Sequence, residues 1–231
     1  MEKVKKQKLK KNKKEDIFNL IQFFEIVFVI LIIYLVVASV SELVLLDIHV
    51  FFSNIGWMLL MVQGILVFRG INPIIRKFLG KDTVFIHWVL ETMALIGATM
   101  GLISIYQAKN NYKWEHFITW HAVLGFAGIL FSIMSGLNGI VALYRKELKN
   151  YFPPRLSKFI HILTGTIGFF FGGLSLVFAC YTKWFAMRTA HSFLSLCIAL
   201  FLVIGVVVYT VIQPVDKIRR NWDWKKLTAK E

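Results

Sequence analysis

Lys113-Trp114-Glu115-His116-Phe117-Ile118-Thr119-Trp120-His121-Ala122-Val123-Leu124-Gly125 takes the chain from a basic, aromatic loop into a long apolar helix, with His121 about one turn inside it. A lone histidine at such a place reads as a capped or satisfied core residue. Repetition changes that reading. His49, His87 and His161 each stand near one end of a different apolar segment, so the question is whether the four belong together.

The surrounding chain is built for a bilayer. Of its 231 residues 57% are hydrophobic, and the mean hydropathy of +0.64 is far above that of soluble domains. Six apolar runs, about 17–40, 49–68, 84–106, 118–144, 158–181 and 187–212, are each long enough to cross a hydrocarbon core of about 30 Å as a helix. Only helices or closed barrels satisfy their backbone there, and these runs lack the alternation of barrel strands. The expected fold is an all-α integral membrane protein of six transmembrane helices, residues 17–212, between a basic tail (1–16) and a second charged tail (213–231), with no room for a soluble domain.

Charge sets the expected orientation. Of 27 Lys and Arg, all but Lys109, Lys113, Lys183 and Arg188 fall in the N-terminal tail, the 69–83 loop, the 145–158 loop or the C-terminal tail. The positive-inside rule places those four segments, and both termini, in the cytosol. The net charge of +14 is then a topology signal. The lysines between Lys3 and Lys14 form a tail that brushes anionic lipid, not a folded basic face for nucleic acid. The first apolar run is longer than a signal-peptide core and has no small-residue cleavage site after it. Cys180 and Cys197 are too few for a disulfide framework and read as small apolar packing. No lysine stands where a dilysine retrieval signal needs it; an endomembrane (vesicle or endoplasmic reticulum) is expected ahead of the plasma membrane.

All 15 glycines except Gly70, Gly80 and Gly205 lie in helices two to five. Small residues at helical spacing let backbones approach one another or a flat cofactor. They mark helices two to five as an inner four-helix bundle, with one and six outside, and the four histidines lie on those inner helices. Antiparallel alternation sets their depth. Helices two and four begin outside, so His49 and His121 share the outer level; three and five begin inside, so His87 and His161 share the inner one. The levels should lie roughly 20 Å apart.

Two histidines on facing helices at equal depth suit one haem iron, one imidazole on each axial position. With no vacant axial position, such a haem favours one-electron transfer over oxygen chemistry. Zinc fits less well, since each pair lacks a third ligand at spacing. Glu91, one turn after His87, reads as a partner for that imidazole. A respiratory cytochrome b would place two histidines on each of two helices, a pattern absent here. The rival class is a haem-free six-helix transporter or channel with pH-sensitive interfacial histidines. It expects broken helices or polar groups at mid-depth, of which Gln63 and Asn138 are the chief examples.

Laid out this way, the chain resembles the cytochrome b561 family, and within it the short branch of transmembrane ascorbate-dependent reductases. The resemblance rests on one histidine at the start of each of helices two to five, on the spacings between them, and on local strings. These are Leu66-Val67-Phe68, His87-Trp88-Val89-Leu90, Lys113 with His116, Thr119 and His121, and His161 with Thr164-Gly165. Two departures stand out. The Ser-Leu-His-Ser-Trp type of string reads here as Ile118-Thr119-Trp120-His121-Ala122, so the aromatic precedes the histidine. Glu91 stands where relatives tend to carry a neutral polar residue.

The resemblance implies two bis-histidine haem b groups, the non-cytosolic one held by His49 and His121 and the cytosolic one by His87 and His161. It implies an electron-translocating oxidoreductase that takes electrons from cytosolic ascorbate and delivers them to monodehydroascorbate or a ferric chelate. Arg69, Arg76, Lys77, Lys81, Arg155 and Lys158 ring the inner mouth and suit an anionic donor. Lys113, His116 and Tyr112, with Lys109, resemble the acceptor-side residues; His191 is a weaker candidate. The partners expected are these small molecules and the lipid bilayer, with room for a homodimer.

Overall fold

The computed structural model describes residues 2–38 and 44–222, and among these the chain is helical with no strand. Glu42 of the expected outer turn and the tail beyond Trp222 lie outside the described residues. Eight helices follow: α1 (Glu2–Val37), α2 (Val44–Leu66), α3 (Pro73–Leu79), α4 (Thr83–Asn111), α5 (Trp120–Leu143), α6 (Pro154–Ala179), α7 (Lys183–Arg188) and α8 (Phe193–Asn221). All but α3 and α7 contain a span long and apolar enough to cross a membrane, so the protein is a multi-pass integral membrane protein.

Local chemistry explains the boundaries. Asp82 accepts from the amides of Val84 and Phe85 to start α4. Thr119 accepts from Ala122 to start α5, and Ser192 from Ser195 to start α8. Each is an N-cap that satisfies amides with no partner in the first turn. Pro154 opens α6, where its missing N–H costs nothing. Arg155 and Lys158 therefore sit on the first turns of α6, not in the preceding loop.

Four boundaries differ from expectation. The sixth long helix begins at Phe193, not near 187, because Ala190 and His191 adopt left-handed backbone (φ 50° and 58°) after the short α7. It also runs past 212 to Asn221 with Pro214 inside it, since one proline removes a single backbone donor. α1 continues back to Glu2 through the lysine-rich segment, whose Lys, Leu and Gln are good helix formers. α2 starts at Val44, so Asp47 belongs to a helix; it is buried, and it accepts from Trp184 Nε1 (2.7 Å) and from Arg188 Nη2 (3.1 Å).

Glycine marks helix pairing. Helices α2 and α4 pack tightly, as do α5 and α6. A methyl group on Gly56 would stand 2.7 Å from the Ala94 carbonyl oxygen, and one on Gly128 would stand 2.8 Å from the Gly172 nitrogen. Both crossings are closed to any larger side chain. The main apolar core lies to one side of these pairs. It joins Phe28 and Ile32 of α1, Met58 and Val62 of α2, Val203 and Val206 of α8, and Phe169 of α6. Glu25 faces a neighbouring helix, fully buried, and accepts from Gln63 Nε2 at 2.7 Å. Gln22 donates to Gln63 and accepts from Asn72, which extends the polar chain to the cap of α3. A buried carboxyl needs such partners in an apolar setting.

Candidate functional site

One device orients all four histidines. His49 of α2 donates from Nδ1 to the Gly101 carbonyl of α4 at 2.9 Å, and His87 of α4 donates to the Gly64 carbonyl of α2 at 2.8 Å. His121 of α5 donates to the Ser175 carbonyl of α6 at 2.9 Å, and His161 of α6 donates to the Ser135 carbonyl of α5 at 3.0 Å. Each ring is thus held by the helix packed most closely against its own. A carbonyl oxygen only accepts, so Nδ1 carries the proton in every ring and Nε2 keeps its lone pair. A metal-ligating imidazole needs this tautomer, and a bond of this kind usually fixes it.

The rings then meet across the two helix pairs. His49 and His121 have ring centres 6.0 Å apart at 75°, and His87 and His161 have centres 6.0 Å apart at 80°. Two imidazoles bound to opposite sides of one metal ion, each through a bond of about 2 Å, have ring centres about 6 Å apart. The donor set fits an iron between two imidazoles at each level.

Register along the helices supports both levels. His87 and Gly101 are 14 residues apart on α4, as are His121 and Ser135 on α5, and His161 and Ser175 on α6. Fourteen residues make about 21 Å of helix, so each helix offers a histidine at one level and an acceptor for its neighbour at the other. On α2 the spacing from His49 to Gly64 is 15. The extra residue falls where Ile55–Met61 is wound as a π-helix, which restores the register.

At the His49/His121 end lies a cavity of about 840 Å³, lined by both rings, by Lys109, Lys113, His116 and Lys183, and by the buried Asn54 and Trp57. Lys113 and Phe117 hold left-handed backbone in the loop above it (φ 54° and 56°). His116 packs on Tyr106, ring centres 4.9 Å apart, and its Nε2 meets Asn110 Oδ1 at 3.0 Å. Tyr112 instead stacks on Trp114 and is not among the residues lining this cavity. His191 is exposed and likewise stands off it.

The opposite end carries the basic segments. Arg76 and Lys77 lie exposed on α3, with Lys81 after it; Arg155 and Lys158 lie exposed on α6. Arg69 turns toward α8, bonding Gln213 Oε1 at 3.0 Å with its guanidinium 4.3 Å above the Tyr209 ring. Lys217, which sequence reasoning passed over as tail, has Nζ 4.8 Å above the Phe68 ring, and that ring is centred 5.1 Å from His87. The expectation for Glu91 changes: its Oε1 is 3.7 Å from His87 Nδ1, and the Gly64 carbonyl is the bonded partner. Among sequence signals, only the small residue 14 or 15 positions after each histidine pointed to the acceptors.

The fold and site define a helical membrane protein with two facing histidine pairs, one toward each end of its spans. The family model for eukaryotic cytochrome b561 matches residues 48–186, and the chain belongs to that family. Membership implies haem b, and the donors described above fit it. Among curated relatives, the chain is similar to the Bos taurus protein named transmembrane reductase CYB561D2, at 29% identity over 59% of this chain and 61% of the relative. The Homo sapiens protein of the same name is 27% identical over the same shares. The Mus musculus probable transmembrane reductase CYB561D1 is 25% identical over 76% of each chain. The chain thus spans 61% of the length of the first two. No solved structure matches it.

Proposed function

We propose that this chain moves single electrons across a membrane, from cytosolic ascorbate to monodehydroascorbate or a ferric chelate on the far side. In this reading His87 and His161 hold the cytosolic haem b, and His49 and His121 hold the non-cytosolic one. A haem b held between two such histidines would supply one-electron transfer in preference to oxygen chemistry. The observation that carries the reading is the repeated geometry: four rings with Nδ1 committed to a carbonyl, meeting in two pairs at 6.0 Å.

The other residues take roles that follow from charge and place. Ascorbate is a monoanion, and Arg76, Lys77, Lys81, Arg155 and Lys158 give the inner mouth a positive field that concentrates it. Lys217 of α8, above the Phe68 ring beside His87, extends that field inward, and Arg69 is held against the same helix by Gln213 and Tyr209. On the far side Lys113, His116 and Lys109 line the cavity that an acceptor would approach, and Tyr112 flanks it. Both termini then lie in the cytosol, and an endomembrane is the proposed location.

A visible spectrum of the purified protein tests the reading. Two haem b per chain, reducible by ascorbate, are expected. A protein that folds and carries no Soret band overturns it.

A further inference from the structure

Trp57 lies where the two levels of the bundle meet. On α2 it stands eight residues past His49 and seven before Gly64, the carbonyl that holds His87. These separations are about 12 Å and about 10 Å of helix. On α6 its indole Nε1 donates to the carbonyl of Phe169 at 3.4 Å, and Phe169 is eight residues past His161 and six before Ser175, the residue that holds His121. The ring therefore sits midway between the levels on both helices that it touches.

Its surroundings are built to keep it there. A methyl group on Gly172 would fall 2.0 Å from the Cε2 atom of Trp57, so the indole occupies the space that any side chain at 172 would fill. Trp57 is 5% exposed and belongs to the π-helical turn, where the extra residue of α2 is accommodated. It lines the cavity that contains His49 and His121, while its Nε1 reaches across to α6 on the way to His161. Its one polar atom has a partner.

We propose that Trp57 is the bridging group between the two redox centres, the packed aromatic path through which the electron tunnels. The inference rests on the two-haem reading above. One electron leaves the centre held by His87 and His161, and the same electron arrives at the centre held by His49 and His121. Trp57 ends each transfer unchanged, and no bond forms or breaks. Tunnelling weakens exponentially with distance and more steeply through gaps than through packed atoms. A large, fixed π-system in the middle of the gap thus sets the rate, whereas the ligand histidines set the potentials.

The test uses the full chain with haem b bound, in nanodiscs, after a light pulse delivers one electron from a soluble photoreductant. Trp57→Leu should slow electron arrival at the outer centre about tenfold, with inner-centre reduction and both midpoint potentials unchanged; Trp57→Phe should recover most of the rate. Transfer in Trp57→Leu at the parent rate, with both centres present, overturns the proposal. A second measurement does not depend on the Leu variant folding. The emission difference between the parent and Trp57→Phe should be present in haem-free protein and quenched when haem b is added. If that difference survives loading, the indole is not between the centres and the proposal fails. A parent protein that binds fewer than two haems would instead sink the two-haem reading itself.

Discussion

His121 donates from Nδ1 to the carbonyl of Ser175, and the Ser175 hydroxyl donates at 2.8 Å to the carbonyl of His121. The same exchange links His161 and Ser135, whose hydroxyl donates to the His161 carbonyl at 3.2 Å. Each ring is therefore oriented by a residue on the neighbouring helix. The site is made of helix pairs, and changes at its parts should be separable.

Replacing His121 by alanine should remove one haem and transmembrane transfer, while the inner haem stays reducible by ascorbate. Haem content per chain and a reduced-minus-oxidised spectrum check this, with circular dichroism as the folding control. Retention of both haems would refute the assignment of His121.

Ser175→Ala keeps the backbone carbonyl that holds His121 and loses the hydroxyl's contacts with the His121 carbonyl and ring Nδ1. The expected cost is about 1 kcal/mol of stability, with both haems retained and only the outer one altered in its paramagnetic resonance spectrum. Thermal unfolding in detergent with that spectrum decides it; a change at the inner haem would contradict the level assignment.

Gly128→Ala places a methyl 2.8 Å from the Gly172 nitrogen, where backbone faces backbone. The α5–α6 pair must separate, at an expected cost of about 1–3 kcal/mol. Gly136, with nothing within 4 Å of its added methyl, is the control, and alanine there should be neutral or slightly stabilising. The two melting temperatures give the comparison.

Asp47→Ala leaves Arg188 and the Trp184 indole without their shared acceptor in a largely buried place. Removing one member of such a pair costs about 3 kcal/mol. The loss should appear as a lower melting temperature and faster proteolysis around α7, with Arg188→Ala giving a similar but not additive effect.

Lys217→Met retains much of the apolar stem and removes the charge above Phe68. If an anionic donor is drawn in there, its KM should rise several-fold with kcat little changed, an effect on the scale of about 1 kcal/mol for a cation over a ring. Initial rates with ascorbate at two ionic strengths measure it; an unchanged KM removes Lys217 from the donor site.

Much of the site could be read directly from the residues. Alternating helix direction places His49 with His121 and His87 with His161, because a spanning helix leaves little freedom in depth. The charged loops likewise speak through side chains. The acceptors of the four rings do not. Gly64, Gly101, Ser135 and Ser175 act through backbone carbonyls, which every residue has, so only their distance from each histidine hinted at them.

By itself the sequence determined that six apolar helices cross a membrane and that four histidines stand in two layers. Hydrophobic length and charge bias are local quantities, and they are sufficient for that. Only the tertiary structure decided which helix holds which ring, that Glu91 stands aside for the Gly64 carbonyl, and that Lys217 reaches Phe68 past Pro214. It also decided that one extra residue in α2 winds into a π-turn and sets Trp57 against Gly172. Those outcomes depend on how closely two backbones can approach, and that distance is fixed by both helices together.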